Sequence, residues 1–118
     1  MKEPDSIPLE QLLDRISGKW TIYILWLLDT KGKLRFGELR RNIDGISTKV
    51  LTVRLQMLTE IGIVSRNYKP TIPPQVTYEL TDRGKELSEP LYHLCDLAAR
   101  WYGDGIVPRS KLNPIKIE

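Results

Sequence analysis

At 118 residues, with 41% apolar and 28% charged content, the chain has room for one domain with a real core and little for an elaborate enzyme site. A net charge of +3 suits a nucleic-acid partner without demanding one, so the placement of charge matters more than its sum. The single cysteine, Cys95, excludes an internal disulfide and a four-thiolate zinc site, and the longest apolar run, residues 22–28, is too short to span a bilayer.

Residues 1–7 are expected to form a disordered arm, without the apolar stretch of a signal peptide, which makes the cytoplasm the expected location. Leu9, Leu12, Leu13 and Ile16 recur at helical spacing, so a first amphipathic helix is predicted from Pro8 to Ile16, ended by Ser17-Gly18. A second helix over residues 19–29 is apolar on most sides and should be the buried axis of the domain. After the cationic turn Lys31-Gly32-Lys33, a third helix starts near Arg35 with Phe36, Leu39 and Ile43 in one stripe, and Gly45 breaks it. Ser47 can cap a fourth helix, on which Leu51, Leu55 and Leu58 fall within about 60° of one another at roughly 100° per residue.

Gly62 stops that helix. Residues 63–69 and Gln75–Leu80 read as strands, with Thr71-Ile72-Pro73-Pro74 at the tip between them. Thr81 is a plausible cap for a long final helix in which Pro90 should introduce a bend or start a second half. Residues 103–118, with two prolines, read as an irregular tail, leaving residues 8–102 as the domain. The fold class is therefore mainly α with a small β-wing: a winged helix-turn-helix, an arrangement whose second motif helix enters the major groove of DNA.

With the leucine stripe turned inward, Lys49, Thr52, Val53 and Gln56 point outward. Gln can bond adenine twice, Lys can reach guanine or phosphate, and Val can touch a thymine methyl. Ser47 and Thr48 stand at the helix start, where backbone N–H groups favour phosphate. Arg54 borders the stripe and suits either a phosphate or a neighbouring acid. Lys33 and Arg35 before the motif, and Arg66 and Lys69 on the ribbon, suit backbone contacts that position a protein without specifying sequence.

No metal site, cofactor or catalytic constellation is expected. His93 and Cys95 project about 200° apart on a helix and cannot clasp one ion, and neither a nucleophile elbow nor a glycine-rich phosphate loop is present. Cys95 reads as a small apolar residue or, alternatively, a redox-active thiol.

From Pro8 to Trp101 the chain resembles the HxlR-type family of bacterial winged helix-turn-helix transcription regulators. The resemblance rests on Pro8-Leu9-Glu10, Gly18-Lys19-Trp20-Thr21, Arg35-Phe36-Gly37-Glu38-Leu39-Arg40, Gly45-Ile46-Ser47, Leu51, Arg54-Leu55, Leu58, Gly62, Pro73-Pro74, Tyr78-Glu79-Leu80-Thr81 and Gly84, in that order and spacing. It implies a homodimer joined through the first and last helices, binding double-stranded DNA at a palindromic operator, and hence residence on the nucleoid when bound. The apolar stripes Leu9, Leu12, Leu13, Ile16 and Leu91, Leu94, Cys95, Ala98, Trp101 exceed what a small monomer should expose, in keeping with such a dimer. Where several family members carry a sensing cysteine, just before the first helix, this chain has Ile7, so an N-terminal thiol switch is not expected; the residues name no effector. The alternative function is a winged-helix protein-interaction module that does not touch DNA, which an acidic or apolar reading helix would have favoured.

Overall fold

The structure, a computed structural model, describes residues 7–103. The disordered-arm and tail expectations for residues 1–6 and 104–118 lie outside the described residues. Among the described residues five helices and three strands follow in the order α1 (Pro8–Ile16), α2 (Lys19–Lys31), β1 (Leu34–Arg35), α3 (Phe36–Asn42), α4 (Thr48–Glu60), β2 (Val64–Lys69), β3 (Gln75–Leu80) and α5 (Asp82–Tyr102).

The core is built where the helical stripes converge. Ile24, Leu27 and Leu28 of α2 meet Leu39 of α3, the leucines of α4, and Val64 and Leu80 at the base of the ribbon, all essentially sealed from water. α2 is the buried axis, two residues longer than its periodicity suggests. Gly45, at φ 85°, makes the turn between α3 and α4 in a conformation that side chains disfavour. The Trp20 ring lies 3.6 Å from where a Cβ at Gly45 would stand, so α2 packs directly on the turn of the motif.

The sheet is antiparallel in the order β1-β3-β2, with Leu34 opposite Tyr78 and Val64 opposite Leu80. β1 was not anticipated: two residues carry no periodic signal, and Leu34–Arg35 is extended because β3 offers it an edge. Pro90 sits on the exposed side of α5, which runs through it as one helix without starting afresh.

One buried group lacks a counterpart. Thr21 in α2 is fully buried, and its hydroxyl has no hydrogen-bond partner among the described residues. A stranded hydroxyl costs free energy that an isosteric methyl does not. Thr21→Val is therefore expected to raise unfolding stability by about 1 kcal/mol, read as a higher denaturant midpoint at unchanged slope. A fall in the midpoint would mean that the hydroxyl is satisfied in solution.

Candidate nucleic-acid interface

α4 is held from both ends. At its start the Ser47 hydroxyl accepts from the Val50 N–H at 3.0 Å, the capping bond expected of that residue. At its end the Arg83 guanidinium donates to the Ile61 carbonyl at 2.9 Å, and the Thr81 hydroxyl, itself at the cap of α5, donates to the Gly62 carbonyl. Sequence spacing did not point to Arg83, because the contact joins residues on separate elements.

Between those ends the inward stripe of Leu51, Leu55 and Leu58 is buried, and Ser47, Thr48, Lys49, Thr52 and Gln56 are exposed. Val53 is 53% exposed, a large apolar side chain left in water on the same outer face. Arg54 is half-buried at the border of the stripe. The Thr52 hydroxyl donates to the Thr48 carbonyl at 2.7 Å, so it faces outward as an acceptor rather than as a free donor. Lys49, Thr52 and Gln56, with the apolar Val53 among them, are thus presented along the helix over a base of buried leucines.

The flanking cations are not equivalent. Lys33 pairs with Glu79 at 3.5 Å, and Glu79 also accepts from the Asn67 amide at 3.1 Å, so the charge of Lys33 is partly compensated at the base of the wing. Arg35 is exposed at the start of α3, where its backbone N–H donates to the Glu38 carboxylate at 2.8 Å, and Arg35 and Arg41 border the same shallow cleft. On the ribbon, Arg66 pairs with Tyr78 and Lys69 with Gln75. Because side chains alternate between faces, Arg66 shares the face of Val64 and Lys69 takes the opposite one. The three-residue spacing of Arg66 and Lys69 already carried this information.

The stripes assigned to a dimer contact divide. Leu9, Leu12 and Leu13 on α1, and Leu94, Ala98 and Trp101 on α5, are exposed. Ile16 is not: at 4% exposure it belongs to the protomer core, because the last turn of α1 tucks under the domain. Leu91 is half-buried against that core and Cys95 is half-buried. Ile16 therefore leaves the candidate dimer surface, and Tyr102, exposed beside Trp101, extends it.

Comparisons with known proteins agree with this layout. The HxlR-like helix-turn-helix family model matches residues 15–105. The HTH-type transcriptional regulator sll1512 of Synechocystis is 40% identical over 94 residues, covering 80% of this chain and 69% of the relative. The HTH-type regulator YtcD of Bacillus subtilis is 38% identical, covering 95% of this chain and 93% of its own. A solved structure of an HTH-type transcriptional regulator ytcD superposes with a TM-score of 0.78 at 36% identity, over 83% of this chain and 99% of that one. With the motif, the wing and the capped outer helix in place, the chain belongs to the HxlR-like helix-turn-helix family of transcriptional regulators.

Proposed function

We propose that the protein is a sequence-specific DNA-binding regulator that acts as a cytoplasmic homodimer on a palindromic operator, with α4 as the reading helix. The observation that carries this reading is the division of α4 itself: Lys49, Thr52 and Gln56 exposed beside Val53, with Leu51, Leu55 and Leu58 buried behind them. Hydrogen-bonding and apolar groups at helical spacing suit the donor, acceptor and methyl pattern of the major groove. Arg35, Arg66 and Lys69 suit phosphates on either side, and the exposed leucines of α1 and α5 suit a second copy, which would set two reading helices against two half-sites.

Selection of bound genomic fragments, followed by titration of the strongest duplex, tests the reading. Lys49→Ala or Gln56→Ala is expected to relax base preference by roughly 1–3 kcal/mol at one position of each half-site. Lys69→Ala is expected to weaken binding to all duplexes alike and to lower the slope of affinity against salt by about one. The reverse pattern, specificity lost from the wing and only uniform affinity lost from α4, would overturn the assignment of the reading helix.

A further inference from the structure

We propose that the cleft between α1, the corner where α4 runs into β2, and the first half of α5 is an effector site for an uncharged, largely apolar small molecule. Its effect on DNA rests on the DNA-binding reading above; the uptake of the molecule does not.

The cleft exists because α1 is anchored at one end only. Ile16 is its one buried residue, the rest of the helix is exposed, and a space of about 800 Å³ opens between it and the domain. Sites for drug-sized molecules run from roughly 300 to 1,000 Å³. Leu12 of α1, Ile61 and Ile63 of the corner and Leu87 of α5 line the space, and Ile63 and Leu87 belong to the core at its floor.

Charge indicates the ligand. Each wall carries one cation and one anion: Arg15 and Asp14 on α1, Arg83 and Glu86 on α5. Among the described residues none of the four is ion-paired. The rim therefore sums to zero, and a carboxylate or ammonium group entering the cleft would meet repulsion as well as attraction. An uncharged molecule loses no ionic hydration on entry and gains the apolar floor. A second copy of the chain suits the cleft less, because Leu12 alone is shared with the proposed dimer contact. On α5 that contact reaches Leu94, about 10 Å beyond Leu87 along the helix axis.

Position links occupancy to DNA. Arg83 lines the cleft and donates to the carbonyl of Ile61, the residue that ends α4. A ligand against Ile61, Ile63 and Arg83 touches the residues that fix the end of the proposed reading helix. It would therefore favour one arrangement of α4 against α5 over another.

The experiment uses the full chain and two fluorescent probes that brighten in apolar surroundings. Phenylnaphthylamine is uncharged, and anilinonaphthalene sulfonate has the same ring system with one negative charge. The unmutated protein is expected to take up one phenylnaphthylamine per protomer, about tenfold more tightly than the sulfonate. Gln11→Trp, which puts a large side chain into the cleft, is expected to weaken that uptake by about tenfold or more. Asp14→Asn makes the rim net positive and is expected to bring the sulfonate within about threefold of the uncharged probe. Gln11 and Asp14 are exposed, so both variants are expected to keep the fold, which circular dichroism checks. Saturating phenylnaphthylamine is expected to change the affinity for the strongest selected duplex by about fivefold or more, and DNA to change the probe's affinity by the same factor.

No saturable uptake, tighter binding of the sulfonate by the unmutated protein, or a Gln11→Trp protein with unmutated uptake would overturn the site. An Asp14→Asn protein with the unmutated ratio of the two affinities would overturn the charge argument for an uncharged ligand. Uptake by Leu94→Glu alone, a variant aimed at the proposed dimer contact, would assign the cleft to a second copy and overturn the proposal. A probe that is taken up and leaves duplex affinity unchanged would overturn the effector role. If the unmutated protein selects no duplex, the DNA-binding reading falls and the effector role with it, while probe uptake still decides the site.

Discussion

Replacing Gly84 with alanine is expected to cost about 2 kcal/mol or more of folding stability and to lower Tm by roughly 10 °C. A Cβ at this position, in the first turn of α5, would stand 2.3 Å from the Ile63 carbonyl oxygen and 3.0 Å from Leu80 Cδ2. That oxygen has little room to retreat, because it accepts from the Thr81 N–H at 3.0 Å and lies 3.1 Å from the Thr81 hydroxyl, whose one proton it shares with the Gly62 carbonyl. Glycine to alanine inside a helix ordinarily gains up to about 1 kcal/mol, so here propensity and packing oppose each other and the sign of the change decides between them. Gly37→Ala is the control: its Cβ would meet only the end of the Arg41 side chain, at 3.4 Å, and no loss is expected. Thermal unfolding of both variants at one protein concentration makes the comparison. A Gly84→Ala protein that unfolds at the unmutated temperature would refute the close packing of α5 on the corner between α4 and β2.

That corner also bears on function. Thr81 and Arg83, at the start of α5, hold the carbonyls of Ile61, Gly62 and Ile63 that follow α4. The helix proposed to read DNA and the helix proposed to meet a second copy are therefore joined by side-chain hydrogen bonds as well as by the chain. A change in how two copies pack would alter the spacing of their reading helices, which a palindrome with fixed half-site separation would detect.

How much of this was legible in the sequence depended on whether a signal was local. Ser47 and Thr81 announce helix starts because a cap acts within three residues, and both bonds are present. Gln75–Leu80 reads as a strand because Val76, Tyr78 and Leu80 alternate with polar residues. β1 was invisible because its only cause is β3, more than forty residues away. Ile16 was misassigned for a different reason: a helical wheel shows that a stripe will be covered, but not whether the protomer or a partner covers it. The outward set on α4 follows from its buried leucines, whereas the pairing of Lys33 with Glu79 has no spacing to betray it. Gly84 is legible in the sequence only as one of the residues that carry the family resemblance; the physical reason for a glycine there, a carbonyl oxygen 2.3 Å from where a Cβ would stand, is tertiary.

Leu94→Glu is expected to dissociate the proposed dimer, costing several kcal/mol of association while leaving the protomer folded. Leu94 is 58% exposed and Trp101 68% exposed on α5, with Leu9 and Leu13 also exposed on α1. In one copy these side chains meet water, so a carboxylate at 94 costs the isolated protomer little. Against a second copy the same carboxylate would lose its hydration without a partner cation provided by the apolar stripe. The two consequences separate cleanly. Sedimentation at micromolar concentration should show a dimer for the unmutated chain and a monomer for Leu94→Glu, with the same far-ultraviolet dichroism for both. Operator binding should weaken much more than a single half-site contact would explain, because two reading helices no longer arrive together. An unmutated chain that sediments as a folded monomer would refute the dimer, and a Leu94→Glu chain that remains dimeric would place the interface on another face. Ile16→Glu serves as the contrast: its side chain is sealed in the protomer core, so a charge there should unfold the chain rather than divide a pair.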